Sequence, residues 1–149
     1  MSYANITLKT DLRYLPRKVQ KIAHDPRVLK ELGDTWRSKF ENFIPVGATG
    51  NLVDRAYATS DGYIIYNTPY AHYIWQGEEY VYDMEYDETT GELKKRYFAP
   101  KGVGKIPSGD MLKDVGYMPP NYEPHWNRVA YNVYKGEVAE HMTEFIKRL

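Results

Sequence analysis

The chain has 149 residues, of which 42% are hydrophobic, 27% charged and 15% aromatic, and this length predicts a single domain over residues 1–149. Basic and acidic side chains number 20 each, so the net charge favours neither a nucleic acid nor a membrane surface as partner. The absence of cysteine excludes disulfide bonds, a thiol nucleophile and thiolate metal sites. A mean hydropathy of −0.66 without a long apolar run predicts a soluble protein made inside the cell, with no transmembrane span or signal peptide.

The charges are unevenly distributed along the chain although they cancel overall. Residues 1–50 contain nine basic and five acidic residues, and residues 94–149 contain ten and six. Residues 51–93 contain a single basic residue, Arg55, against nine acidic ones. The middle of the chain is therefore acidic and both flanks are basic.

Two helices are predicted in the first third of the chain. Residues 12–23 form a weak helical stretch that contains Pro16. A stronger helix begins at Asp25-Pro26, because aspartate suits the N-cap position and proline the first turn. Its apolar residues recur at spacings of three and four and predict about five turns that end before Ile44-Pro45. These residues are Leu29, Leu32, Trp36, Phe40 and Phe43.

Two hairpins follow. The strands Arg55–Ser60 and Tyr63–Asn67 are joined by Asp61-Gly62, a sequence that favours a two-residue turn. The second hairpin spans 79–98, where acidic residues alternate with aromatic ones at the period of a strand. With residues 88–91 as the turn, it forms an arm on the order of 30 Å long that projects from the sheet. The predicted cross-strand pairs are Asp87 with Glu92, Glu85 with Lys94, Asp83 with Arg96, and Tyr82 with Tyr97.

The last part of the chain is predicted as a loop and a helix. Residues 100–124 contain five prolines and four glycines without periodicity, which indicates a long loop. A helix over 124–149 presents an apolar face, and Gly136 favours a kink or break near its middle. Helices, then strands, then a helix indicate an α+β fold, in which N-terminal and C-terminal helices pack on an antiparallel sheet. The apolar face consists of Trp126, Val129, Ala130, Val133, Val138, Met142, Phe145, Ile146 and Leu149.

No segment of the sequence specifies catalysis. Gly102–Lys105 resembles part of a phosphate-binding loop but lacks its flanking glycine and hydroxyl residue. The acidic residues at 83, 85 and 87 would begin a calcium loop whose twelfth position, Lys94, is the wrong residue type. The four histidines lack the spacing of a metal-binding motif, and none has a nucleophile nearby in sequence. We therefore predict no catalytic residue, no cofactor and no metal.

Tyrosine is abundant, with nine of the fifteen tyrosines between Tyr57 and Tyr97. A tyrosine buries area while its hydroxyl stays hydrated, which suits both the half-exposed face of an open sheet and a protein–protein interface. Stacking on single-stranded nucleic acid is disfavoured, because that function needs basic residues interleaved with the aromatic ones. Both explanations of the abundant tyrosine, an open sheet and a protein–protein interface, remain open.

One ordered set of residues resembles a known family. The set comprises Phe43-Ile44-Pro45-x3-Thr49-Gly50-x-Leu52, then Tyr66-Asn67-Thr68-Pro69-Tyr70-Ala71-x2-Ile74-x2-Gly77, and finally His125-Trp126 at the start of the last helix. Over roughly residues 25–149 it resembles the minor capsid or tail-completion proteins of tailed bacteriophages. It departs from them at Arg55, where a serine is frequent, and in the segment 78–124, which is particular to this chain.

The resemblance implies a non-enzymatic subunit of the head–tail joining region, made in the cytoplasm of a bacterial host and located in the virion. Its partners would be copies of itself in a ring of six or twelve subunits and other neck and tail proteins. DNA would pass through as cargo, and no membrane partner is implied. Two alternatives remain: a tail terminator or other tail-assembly protein, and a small metal-dependent hydrolase that uses the acidic hairpin.

Six residues are candidates for the assembly interface: Tyr82, Met84, Tyr97, Met111, Leu112 and Tyr117. The first three lie on the aromatic face of the arm, which needs a partner because an isolated two-stranded hairpin is marginally stable. The last three lie in the segment 100–124, which we expect to become ordered on docking or to fold back onto the core. Several acidic residues have no evident partner in the sequence and would face either solvent or a DNA passage: Asp54, Asp61, Glu78, Glu79 and Glu88.

Overall fold

The computed structural model describes residues 6–45, 51–68, 71–114 and 118–149. Within these ranges the chain has an α+β fold, as predicted, and no helix there is both long enough and apolar enough to span a bilayer. The elements of the first half are β1 (Ile6–Lys9), α1 (Arg17–Gln20), α2 (Pro26–Phe40), α3 (Asn51–Asp54), β2 (Ala56–Ala58) and β3 (Tyr63–Tyr66). Those of the second half are α4 (Ala71–Gln76), β4 (Glu78–Val81), β5 (Asp83–Asp87), β6 (Glu92–Arg96), β7 (Ile106–Met111) and α5 (Trp126–Ile146).

The main sheet has three antiparallel strands in the order β1-β3-β2. β1 was not predicted, although its Ile-Thr-Leu-Lys sequence alternates with the period of a strand. The predicted helix over 12–23 is mostly wrong, because only Arg17–Gln20 is helical, with Pro16 at its N-cap. A proline there is tolerated, since a helix leaves its first N–H groups unpaired.

The turn between β2 and β3 has three residues rather than the predicted two. Thr59 N–H donates to Tyr63 O at 2.8 Å, so residues 60–62 form the loop. Gly62 N–H donates to Thr59 O, and Gly62 adopts a φ of 88° that glycine tolerates. A tight turn followed by a left-handed glycine is the usual three-residue hairpin connection.

Helix α2 begins where the sequence predicts. Asp25 is its N-cap and accepts a hydrogen bond from Arg27 N–H at 2.8 Å. A short 3-10 turn, Glu41–Phe43, extends the helix and ends before buried Ile44. The buried face of α2 packs on the main sheet and on α5, and Gly33 allows a close approach to Ala58 of β2. This face consists of Val28, Leu32, Gly33, Trp36 and Phe40.

Helix α5 runs from Trp126 to Ile146, shorter at both ends than the predicted 124–149. It is continuous through Gly136, so the predicted break does not occur. Trp126, Ala130, Val138 and Met142 are buried as predicted, whereas Val133 is 61% exposed. The half-buried rings of Tyr131 and Tyr134 lie against the core instead, because the larger aromatic surface gains more from burial than valine does.

The segment predicted as one long hairpin forms two separate two-stranded sheets, β4-β7 and β5-β6. The chain bends at Tyr82, so β4 pairs with β7 and β5 pairs with β6. The prediction of a structureless loop over 100–124 is therefore wrong, since Ile106–Met111 is a strand. Its sequence Ile-Pro-Ser-Gly-Asp-Met hides the strand, because proline and glycine are usually depleted from strands.

Candidate assembly surface

The β5–β6 hairpin, residues 83–96, has the cross-strand register that the charge alternation predicts. Asp83 lies opposite Arg96, Glu85 opposite Lys94, and Asp87 opposite Glu92. The close ion pair on this face is diagonal, between Lys94 Nζ and Asp87 Oδ2 at 3.9 Å, and it is largely exposed. Such a pair contributes about 0–1 kcal/mol, so it adds little to the stability of the hairpin.

A buried carboxylate connects this hairpin to the β4–β7 sheet. The Glu79 side chain is 1% exposed, and its Oε1 atom accepts hydrogen bonds from Lys95 Nζ at 2.7 Å and Ser108 Oγ at 2.8 Å. Lys95 Nζ also donates to Asp110 Oδ2 at 2.5 Å, and Tyr97 OH lies 3.4 Å from Glu79 Oε2. Its hydrogen bond to Asp110, and to a smaller extent its hydrogen bond to Glu79, raises the pKa of Lys95. The ammonium group therefore stays charged.

The prediction that Glu79 lacks a partner and faces either solvent or a DNA passage is wrong, because its side chain is buried and paired with Lys95. In β4 the residues that face inward are Glu79 and Val81, while Glu78 and Tyr80 face outward. Glu78 also has a partner, since its Oε2 atom accepts from Tyr80 OH at 3.2 Å. Sequence reasoning missed the cluster because its members lie up to 31 residues apart and belong to three strands. The one local signal is the position of Glu79 two residues before the apolar Val81.

The candidate interface residues differ in exposure. Tyr82 and Met84 are half-buried, Tyr97 and Met111 are exposed, and Leu112 is buried. Leu112 N–H donates to Gly77 O at 2.7 Å, so this residue packs within its own subunit. Tyr117 lies outside the described residues.

The exposed apolar side chains concentrate around the β5–β6 hairpin. Tyr86 and Leu93 lie opposite each other on the same face as Met84 and are 63% and 49% exposed. Phe98, just beyond β6, is 94% exposed. Lys95 and Tyr97 reach Glu79 from this same face and hold the base of the hairpin on the β4–β7 sheet, whereas Tyr86 and Leu93 nearer its tip are exposed. We call the exposed set Tyr86, Leu93, Tyr97 and Phe98 the hairpin surface.

Some residues of the recognised set lie in the core. Leu52 and Ala71 are buried, Pro45 is half-buried after the 3-10 turn, and Ala71 begins the short helix α4. Thr49, Gly50, Pro69 and Tyr70 lie outside the described residues.

Gly77, His125 and Trp126 meet at the junction between α4 and α5. Gly77 has a φ of 80°, and a Cβ atom there would lie 2.6 Å from Pro124 Cβ, so a larger residue does not fit. His125 also has a positive φ, 54°, and its N–H donates to Trp75 O at 2.7 Å. The Trp126 ring packs edge-on against Tyr66 of β3 at 5.3 Å, so it holds the start of α5 against the sheet.

His125 itself is held by aromatic contact. Its ring meets Trp75 edge-on at 4.5 Å, and burial lowers its pKa below the usual value. Trp75 Nε1 donates to Asn127 Oδ1 at 2.9 Å. These contacts give the histidine a structural role, in which a neutral ring packs against the indole.

Among the described residues, no group of three or more histidine, aspartate or glutamate side chains is placed to hold a metal ion. No family model, curated protein or solved structure matches this chain.

Proposed function

We propose that this protein is a structural, non-enzymatic subunit of a tailed bacteriophage or prophage, at the junction of head and tail. The support from the sequence is the ordered resemblance to minor capsid and tail-completion proteins. The observation that carries the proposal is the hairpin surface, a set of exposed apolar side chains on a strand pair that is anchored at its base. Large exposed apolar groups on one element mark an interaction site, because water contact with them is unfavourable.

In this proposal the chain assembles into a closed ring in the virion and contacts other neck and tail proteins. A contact between two different surfaces of the same chain closes into a ring when its rotation permits. DNA passes through the ring without specific contact. Glu79 does not take part in that passage, because it is buried.

The role of the hairpin surface is tested by replacing its two most exposed rings, Tyr86 and Phe98, with serine. We expect the variant to keep its far-ultraviolet circular dichroism but to lose ring assembly, because its hairpin no longer presents two aromatic rings. The matched control replaces Tyr57 and Tyr63, two exposed tyrosines of the main sheet, with serine and should assemble normally. Normal ring assembly by the Tyr86 and Phe98 variant would remove the hairpin surface from the proposed interface.

The function itself is tested by multi-angle light scattering of the purified protein, alone and mixed with tail tubes or filled heads. Rings that bind both would support the proposed position. Rings that bind tail tubes but not heads would instead identify a tail terminator. A protein that binds neither tail tubes nor heads, or one that cross-links only as dimers in assembled particles, would contradict the proposal.

A further inference from the structure

A pocket of about 280 Å³ lies between the end of β1, α2 and the first turns of α5. Its deepest residues include Trp36 and Phe40, which are nearly fully buried and whose rings lie 5.8 Å apart. The ring of Tyr131 lies 6.1 Å from Trp36, nearly parallel to it. This volume is at the small end of the range of small-molecule pockets, roughly 300–1,000 Å³, and suits one aromatic side chain. We call it the aromatic pocket.

The rim of the aromatic pocket carries an excess of positive charge. Lys9, Arg13 and Arg128 line it together with one acidic residue, Asp11. Arg13 binds Asp11 through two nitrogens, Nε at 3.0 Å and Nη2 at 2.8 Å, so these two charges offset each other. Lys9 and Arg128 are exposed, and neither forms an ion pair with any described residue. The rim therefore offers two cations to an anionic partner.

The tip of the β5–β6 hairpin, residues 85–88, has the complementary character. Tyr86 is 63% exposed and lies between Glu85 and Asp87 in sequence, on the opposite face of the strand from both, and Glu88 follows at the start of the turn. A hydrogen bond from Thr89 N–H lowers the pKa of Asp87, which keeps it ionised. Lys94 offsets Asp87 at 3.9 Å, but Glu85 and Glu88 add two further negative charges, so the tip is an exposed aromatic ring on a strand end of net negative charge.

We infer that Tyr86 of one copy inserts into the aromatic pocket of a second copy, with Glu88 of the negatively charged tip facing Lys9 and Arg128. This inference rests on the self-association in the proposed function. Aromatic anchors seated in desolvated pockets dominate the energy of many interfaces, and complementary charges around them set orientation. The contact joins two different surfaces, so it is heterologous and propagates from copy to copy until a ring closes.

The charge distribution argues for a second copy as the occupant. No hairpin residue lines the aromatic pocket of its own chain. The acidic segment 51–93 contains the hairpin tip, whereas the basic flanks supply Lys9 and Arg128. The net charge of the chain is zero, but this segregation of acidic and basic residues makes each copy complementary to the next.

The chain lacks cysteine, so the contact can be tested with single cysteines in otherwise unchanged protein. One tagged protein carries Glu88→Cys and a differently tagged one carries Arg128→Cys, and the mixture is treated with a short bismaleimide. We expect at least about tenfold more cross-linked heterodimer than from a Ser60→Cys and Arg128→Cys mixture, a preference of about 1.4 kcal/mol. Ser60 is an exposed control on the β2–β3 turn. Equal yields from the two mixtures would overturn the inference.

Affinity provides a second measurement that does not depend on cysteine placement. Tyr86→Ser should raise the dissociation constant of self-association on the order of 30-fold, the loss typical of a hot-spot anchor. The melting temperature of the protein should not change, because Tyr86 is exposed. Arg128→Glu should weaken it too, and mixing that protein with Glu88→Lys should restore association between the two. Unchanged self-association of Tyr86→Ser would overturn the inference.

The outcomes separate this contact from the proposed function. Rings without the selective heterodimer overturn the pocket contact and leave the proposed function standing. A selective heterodimer in a protein that binds neither tails nor heads supports the contact and contradicts the proposed function. A protein that forms no rings and gives no selective heterodimer overturns the contact and contradicts the self-association on which the contact rests.

Discussion

Glu79 of β4 and Lys95 of β6 form an ion pair at 2.7 Å that joins the β4–β7 sheet to the β5–β6 sheet. The carboxylate is 1% exposed and the ammonium side chain 17% exposed. A charge so far removed from water is tolerated only when it is paired and hydrogen-bonded, and here Ser108 and Lys95 both donate to Glu79. The pair thereby fixes the base of the hairpin relative to the β4–β7 sheet.

Replacing Glu79 with glutamine should destabilise the protein by about 1–3 kcal/mol, because the buried ion pair is lost while the volume is kept. Chemical denaturation measures this free energy of unfolding. The control is Glu78→Gln, at the exposed neighbouring position, which should change it by no more than about 0.5 kcal/mol. Equal effects of the two substitutions would show that the buried pair has no special role.

Asp25, the N-cap of helix α2, should make the stability of the protein depend on pH in the acid range. Hydrogen bonds from the Arg27 guanidinium and then from its backbone N–H lower the pKa of Asp25 to about 2. A lowered pKa in the folded state gives stability that is present above the ordinary aspartate pKa, about 3.9, and is lost as the pH falls through the folded value.

The test compares melting temperatures of wild type, Asp25→Asn and Asp25→Ala between pH 2 and 7. The asparagine side chain keeps the N-cap acceptor without the charge. The melting temperature of Asp25→Asn should therefore lie below that of the wild type at pH 7 and approach it near pH 2. Alanine loses the cap as well and should remain less stable than asparagine at every pH. A pH-independent difference between wild type and Asp25→Asn would contradict the role of the charge.

Gly77→Ala should destabilise the protein by more than the cost of a left-handed alanine, about 1–2 kcal/mol. The added Cβ would meet Pro124 at 2.6 Å, so the junction of α4 and α5 must also move. Gly102→Ala is the matched control, since Gly102 has a φ of 84° with nothing within 4 Å of the added atom. The difference between the two free energies of unfolding measures the steric contact, and equal values would refute it.

Gly136→Ala should stabilise the protein by about 1 kcal/mol. Gly136 lies inside continuous helix α5, is exposed, and has open space where a Cβ would be placed. Alanine therefore gains helix propensity without a steric penalty. Thermal and chemical unfolding should both show the increase. A decrease would mean that the glycine serves a bend in α5 that the native state requires.

The sequence alone predicts those elements whose signals are local. The Asp25-Pro26 start of α2, the α+β class and the register of the β5–β6 hairpin follow from capping, element order and a charge period of two, all of which act over a few residues. The sequence also predicts an interaction function, through the abundance of tyrosine and the recognised residue set. That function stays a proposal, because its partner is another molecule.

Tertiary structure decided what depends on residues far apart in the chain. Strand β7 exists because Ile106–Met111 pairs with β4, and its proline and glycine hide it from any local pattern. Glu79 is buried because Lys95 and Ser108 reach it from other strands, whereas its neighbours in sequence suggest a solvated acid. The aromatic pocket likewise combines β1, α2 and α5. Local propensity is a weak force, and long-range burial and pairing override it wherever the two disagree.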